Sequence, residues 1–154
     1  MTLYRLERIQ VLPISVEEAW RFFSDPSNLH EITPPELGLC VTSELPGQMY
    51  AGMVITYRLH PFFGVRVGWV TEITHVDEPR SFVDEQRFGP YRFWHHLHTF
   101  VACEAGVEMR DLVHYALPFG LLGRLFHPLV RAQLEGIFDY RRETLIHRFG
   151  DQNE

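Results

Sequence analysis

The chain has no lysine; all fourteen of its basic residues are arginine. Without an ε-amine there is neither Schiff-base chemistry nor a Walker-type phosphate lysine. Cysteine is scarce too. Cys40 and Cys103 lie far apart, with no CxxC spacing, which excludes a disulfide framework and a zinc knuckle. Positive charge is short overall: twenty acids face fourteen bases, for a net charge of −6. With no basic block, neither nucleic acid nor an anionic membrane surface is an expected partner. No apolar run approaches the roughly 18 residues of a membrane-spanning helix, so no transmembrane segment is expected. The opening MTLYRLERIQ lacks the charged-then-apolar layout of a signal peptide, and a reduced cytoplasmic compartment is the expectation.

Apolar and aromatic residues are plentiful. The 154 residues are 45% hydrophobic and 14% aromatic, with twelve Phe, six Tyr and three Trp. That length suits one domain, 1–154, burying roughly 70% of its unfolded surface. No repeat, linker or low-complexity segment divides it. So many rings either fill a core or line a pocket for something organic.

The order of elements carries the fold expectation. A strand is predicted over 3–12, ending at Pro13. Ser15 with Glu18 three positions on forms a capping box before Ala19, Trp20, Phe22 and Phe23, the apolar face of a short helix. Asp25-Pro26 stops it, and 28–32 reads as a second helical turn. Strand signals then cover 37–45, 53–60, 65–76, 81–88, 91–103 and 107–117, punctuated by Gly, Pro and Asp turns. Beyond Pro118 apolar residues recur at helical spacing to 149. Pro128 marks a kink there or the first residue of the main helix, and the second option suits Gly120 and Gly123 before it. The expected fold is α+β: a seven-stranded curved antiparallel sheet, two short helices after its first strand, wrapped around a long C-terminal helix.

The segment Phe82 to Gln86, the run Gly89-Pro90-Tyr91-Arg92-Phe93-Trp94-His95-His96-Leu97-His98-Thr99-Phe100, then Asp111, Val113 and Tyr115, Pro118-Phe119-Gly120 with Gly123, and Phe138-Asp139-Tyr140-Arg141 carry a resemblance. In these the chain resembles the START-like, helix-grip SRPBCC superfamily, and more closely small bacterial ligand-binding members described as cell-division-inhibitor-like or polyketide-cyclase-like. The resemblance implies a helix-grip fold with an elongated cavity for a hydrophobic or amphipathic small molecule.

The chemistry-bearing residues cluster on three strands. In a strand over 91–103, His96 and His98 share a face with Trp94 and Phe100, while His95 points away. Asp111 and Tyr115 share the inward face of the last strand with Val113, and a buried Asp111 needs a partner such as His96 or His98. Two readings are open for the histidines. One is a metal site with Asp111 as third ligand; the other, adopted here, is a hydrogen-bonded pocket pair, with no metal and no cofactor expected. His96, His98, Asp111 and Tyr115 are also the candidate acid–base residues, should the pocket be catalytic.

Gln86, on a face with Phe82 and Asp84, is a candidate to orient a ligand carbonyl. Tyr57, Trp69 and Thr71 have inward parity, and Trp94 completes the sheet wall. Phe126, Leu129, Gln133, Ile137 and Tyr140 form the helix stripe that closes the cavity, with Arg124, Arg131, Arg141, Arg142 and Arg148 on a solvated face. Phe62-Phe63-Gly64 and Phe119 to Gly123 are apolar loops suited to a portal. The expected function is binding of a lipid, isoprenoid or polyketide-like molecule. A cyclase, dehydratase or hydrolase using the same pocket, and a regulatory interaction protein, are the alternatives.

Overall fold

The structure, a computed structural model, describes residues 1–62 and 64–150. The seven strands are β1 (Tyr4–Leu12), β2 (Cys40–Val41), β3 (Val54–Phe62), β4 (Val65–Asp77), β5 (Ser81–Phe88), β6 (Phe93–Cys103) and β7 (Gly106–Ala116). They form one antiparallel sheet in the order β1-β7-β6-β5-β4-β3-β2. Helix α1 (Val16–Phe23) follows β1, and α2 (Leu121–Phe149) ends the chain. This is the helix-grip arrangement: a curved sheet around a long helix. Two irregularities in the β4–β5 register, at Val70/Thr71 and Ile73/His75, mark bulges where a sheet bends.

Local chemistry explains most element ends. Ser15 Oγ accepts from the Glu18 N–H at 3.1 Å and caps α1. The second expected helix is reduced to a single 3-10 turn at Pro26–Asn28, capped by Asp25. A second 3-10 turn, Pro35–Leu37, takes the start of the segment expected as a strand over 37–45. Only Cys40–Val41 pairs there, because Ser43 Oγ accepts from the Thr56 N–H at 3.1 Å and replaces a ladder bond with a side-chain bond. A short edge strand of this kind offers little template for unwanted pairing. β6 begins at Phe93 rather than 91 because Gln86 holds both backbone groups of Tyr91, donating to its carbonyl at 2.7 Å and accepting from its N–H at 3.1 Å.

Helix α2 runs unbroken through Pro128, so that residue does not open a separate helix. An interior proline costs a helix about 3 kcal/mol, and packing around it offsets this. His127 stacks on Tyr4 at 3.5 Å between centroids, its Nε2 lies 3.0 Å from the Tyr115 hydroxyl, and Val130 is buried two residues beyond the proline. The buried stripe of α2 is Val130, Leu134, Phe138, Arg141 and Leu145, spaced by three and four. It lies one position round from the expected stripe: Phe126 and Leu129 are 57% and 51% exposed.

Two groups of buried side chains flank the cavity. Trp20 and Phe22 of α1 pack with Phe82, Phe100 and Leu145 at one end. Trp69, Trp94, Tyr115, Leu134 and Phe138 pack at the other. None of the helices among the described residues is long and apolar enough to cross a membrane.

Candidate functional site

A cavity of about 450 Å³ lies between the concave face of the sheet and α2. Aromatic and aliphatic side chains make up most of its wall. Ile55, Trp69, Ile73 and Phe82 line it from the sheet, and Val130, Leu134 and Ile137 from the helix. Phe119, Leu122 and Phe126 line it too yet stay 80%, 61% and 57% exposed, so the mouth opens beside the start of α2. Leu121 to Gly123 there belong to the first helical turn rather than to a loop. Phe63, at the other expected portal, lies outside the described residues.

Of the expected lining residues, Tyr57, Trp69, Thr71, Trp94, His96, His98, Phe126, Gln133 and Ile137 reach the cavity. Four do not. Gln86 is spent on the Tyr91 backbone. Tyr115 is fully buried and turns its hydroxyl to His127. Asp111 lies behind the two histidines, and Leu129 faces outward. Tyr57 and Trp69 close on Thr71 Oγ1, the phenol at 2.7 Å and the indole N–H at 3.0 Å, which satisfies three polar groups inside an apolar wall. Gln133 Nε2 donates to the Pro61 carbonyl and ties α2 to β3.

The polar part of the cavity wall is a buried ionic cluster, set between the two apolar groups. Strand register places Asp84 opposite His96, and His98 opposite Asp111. Each carboxylate reaches both rings. Asp111 Oδ1 lies 2.9 Å from His96 Nε2 and 3.0 Å from His98 Nδ1, while Asp84 Oδ2 lies 2.7 Å from His98 Nε2 and 3.4 Å from His96 Nδ1. The Trp94 indole N–H donates to the other Asp84 oxygen at 3.2 Å. Arg141 donates to Asp111 Oδ1 at 3.4 Å, lies over the Phe138 ring, and has its Nε buried without a partner.

These contacts decide the charges. Burial disfavours ionised Asp111, but hydrogen bonds from His96 and His98 and the Arg141 charge hold its carboxyl well below the ordinary carboxylate range. Asp84 is lowered for the same balance of reasons: burial opposes it, and the two histidines outweigh burial. His98 bonds a carboxylate at each nitrogen, which overcomes its own burial and raises its pKa. Burial and the adjacent His98 charge lower that of His96. Two carboxylates therefore face the Arg141 guanidinium and a histidine pair in which protonation is favoured at His98 and disfavoured at His96. Opposite charges held this close are how a buried ionic group is tolerated.

Asp84 and Arg141 are the two cluster members not among the expected site residues. The Asp84 signal was its parity with Phe82 and Gln86. Arg141 sits among five arginines of one helix and was assigned with them to the solvated face, although it alone of the five ends the segment Phe138 to Arg141 and falls in line with Ile137 and Leu145. Among the described residues, Asp84, His96 and His98 also bring one possible metal-donor atom each to within 4.8 Å of the others. Asp84 thus stands where Asp111 was expected as third ligand.

No protein-family model matches the chain, and no curated protein matches it at a significant level. Solved structures do. An aromatase/cyclase, Zhui, from Streptomyces sp. R1128 is similar with a TM-score of 0.72 at 14% identity, over 96% of this chain and 93% of that one. Protein CV1439 from Chromobacterium violaceum gives a TM-score of 0.71 at 13% identity, over 96% and 99%. Protein Ms6760 from Mycobacterium smegmatis gives 0.65 at 19% identity, over 94% and 92%. At such identities the likeness is one of fold, and that fold is the helix-grip fold the resemblance implied.

Proposed function

We propose that the chain binds a hydrophobic or amphipathic small molecule, of lipid, isoprenoid or polyketide-like character, between the sheet and α2. One observation carries this reading: a cavity of about 450 Å³ that is apolar over most of its wall and ionic at one patch. Small-molecule sites commonly combine such a wall with a few convergent polar groups, in volumes of about 300–1,000 Å³. Burial against Trp69, Ile73, Leu134 and Ile137 supplies affinity, and His96, His98, Asp84 and Arg141 orient the ligand's polar end. Two exposed, unpaired cysteines, Cys40 and Cys103, suit a reduced compartment, and the net charge gives no reason to invoke nucleic acid.

Native mass spectrometry of freshly purified protein, compared with its denatured mass, tests the proposal. An organic adduct, or saturable uptake of fatty acids and isoprenoid alcohols, is expected. Failure to take up any apolar probe from such a panel overturns it.

One observation favours a second, enzymatic reading. His96 and His98 touch, line the same cavity, and are driven to opposite protonation states, which supplies a base beside an acid. Proton transfer on a carbonyl or enol would use that pair, and an aromatase/cyclase is among the structures of similar fold. Turnover of a poly-β-keto substrate mimic, lost in the His98→Ala variant, is the result that supports it. A folded wild type inert on every such substrate leaves binding alone.

A further inference from the structure

The ionic cluster is arranged in two layers around a shared point. Asp111 holds the far nitrogen of each ring, His96 Nε2 at 2.9 Å and His98 Nδ1 at 3.0 Å. That leaves His96 Nδ1 and His98 Nε2 turned toward Asp84 Oδ2, at 3.4 and 2.7 Å. Asp84 is fixed in the same way, with Oδ1 taken by the Trp94 indole and Oδ2 left to the histidines. His96, His98 and Asp84 each commit one polar atom to a partner behind, Asp111 or the Trp94 indole, and direct another at one another. A carboxylate bound behind a histidine is the usual outer support of a metal ligand, because it sets the ring's orientation and tautomer.

The front layer lines the cavity: Asp84, His96 and His98 reach it, and Asp111 does not. Two imidazoles and one carboxylate, supported from behind and open in front, are the donor set of a transition metal that keeps free coordination positions. Metal–ligand bonds of about 2.0–2.2 Å put donor atoms about 3.3–3.6 Å apart at tetrahedral angles. The His96–Asp84 separation already has that value. The shorter His98–Asp84 contact is a hydrogen bond, whose proton a cation would replace.

We propose that Asp84, His96 and His98 bind one divalent first-row transition metal such as Zn2+, with Asp111 as their outer support and the remaining coordination positions open to the cavity. This departs from the hydrogen-bonded pair expected from sequence, and it does not depend on the small-molecule reading. A metal here would offer a Lewis acid to an oxygen-bearing ligand entering the apolar chamber.

The test uses the full chain, stripped with EDTA and titrated with ZnCl2 by calorimetry and with CoCl2 by visible absorption. Wild type is expected to bind one equivalent at micromolar affinity or tighter, and Co2+ to develop the ligand-field bands of a site with fewer than six ligands. His98→Ala and Asp84→Asn should each weaken binding at least 100-fold, and Asp111→Asn by about 10–100-fold, as for other outer-shell changes. A second histidine pair, His95 and His114, faces the other side of the sheet with rings 6.4 Å apart. The His95→Ala/His114→Ala variant should therefore bind like wild type. It keeps the test decisive even where a cluster variant fails to fold. Wild-type affinity no tighter than millimolar, or binding that disappears with the outer pair, overturns the proposal.

Discussion

His96 and His98 lie with ring centroids 3.7 Å apart, yet their surroundings drive them to opposite protonation states. His98 is raised above its unfolded value of about 6.5, so its stabilising contribution is complete below that pH and is lost as pH rises through the folded value. His96 is lowered, so its contribution is present above about 6.5 and is lost as pH falls through its folded value. In metal-free protein, ring 15N shifts should show one imidazole charged and its neighbour neutral at pH 6.5. Two rings titrating together near that pH would sink the assignment.

Asp111 is the shared acceptor that makes this possible, bonded by His96, His98 and Arg141. Asp111→Asn keeps the shape and removes the charge. The Arg141 guanidinium, and His98 in its favoured protonated form, are then left buried with Asp84 as their one anion in the cluster. Breaking a buried ionic set by losing one partner costs about 3–5 kcal/mol. Urea denaturation at pH 7 should show a loss of that order, and less than 1 kcal/mol would mean that Asp111 is not the hub.

Ile137 lies on α2 facing the cavity between Gln133 and Arg141. Ile137→Trp fills part of the chamber while leaving every residue of the ionic cluster unchanged. Uptake of a naphthalene-based fluorescent probe should fall at least tenfold. Unfolding free energy should change by no more than the 1–3 kcal/mol typical of overpacking, and by less where the cavity accepts the ring. Undiminished uptake would place the ligand elsewhere on the molecule.

Strand parity was the most legible feature of the sequence. Alternation in β6 and β7 puts Trp94, His96, His98 and Phe100 inward with Asp111, Val113 and Tyr115, which is how these side chains are buried. Period-two patterns are hard to misread, since a shift by one residue exposes the whole set. The helix was harder. Neighbouring i, i+4 rows of α2 are both apolar, one at Phe126, Val130, Leu134 and Phe138 and the other at Leu129, Ile137 and Leu145, and the second row contains a buried arginine, Arg141, that composition assigns to solvent. Tertiary geometry alone settled the phase. Gln86 and Tyr115 had the right parity as well. Each found a partner outside the cavity, the Tyr91 backbone and His127, and parity carries no information about that choice.

The two glycines within α2 offer a contrast that tests how its first turn is seated at the cavity mouth. A Cβ at Gly123 would overlap the Pro118 carbonyl oxygen and press on the Leu117 side chain, whereas one at Gly136 meets nothing within 4 Å. Helix propensity favours alanine at both positions by about 1 kcal/mol. At Gly136 nothing opposes it, so Gly136→Ala should stabilise the protein by up to that amount. At Gly123 the helix sits directly on the chain that leads into it, and backbone cannot give way as a flexible side chain can. Gly123→Ala should therefore destabilise by about 1–3 kcal/mol, as overpacking does, and should accelerate probe entry by lifting Phe119, Leu122 and Phe126 away from the mouth. The same substitution in the same helix thus carries opposite signs. Chemical denaturation of the pair would show whether the start of α2 rests on Leu117 and Pro118, since equal stabilisation by both variants would mean that it does not.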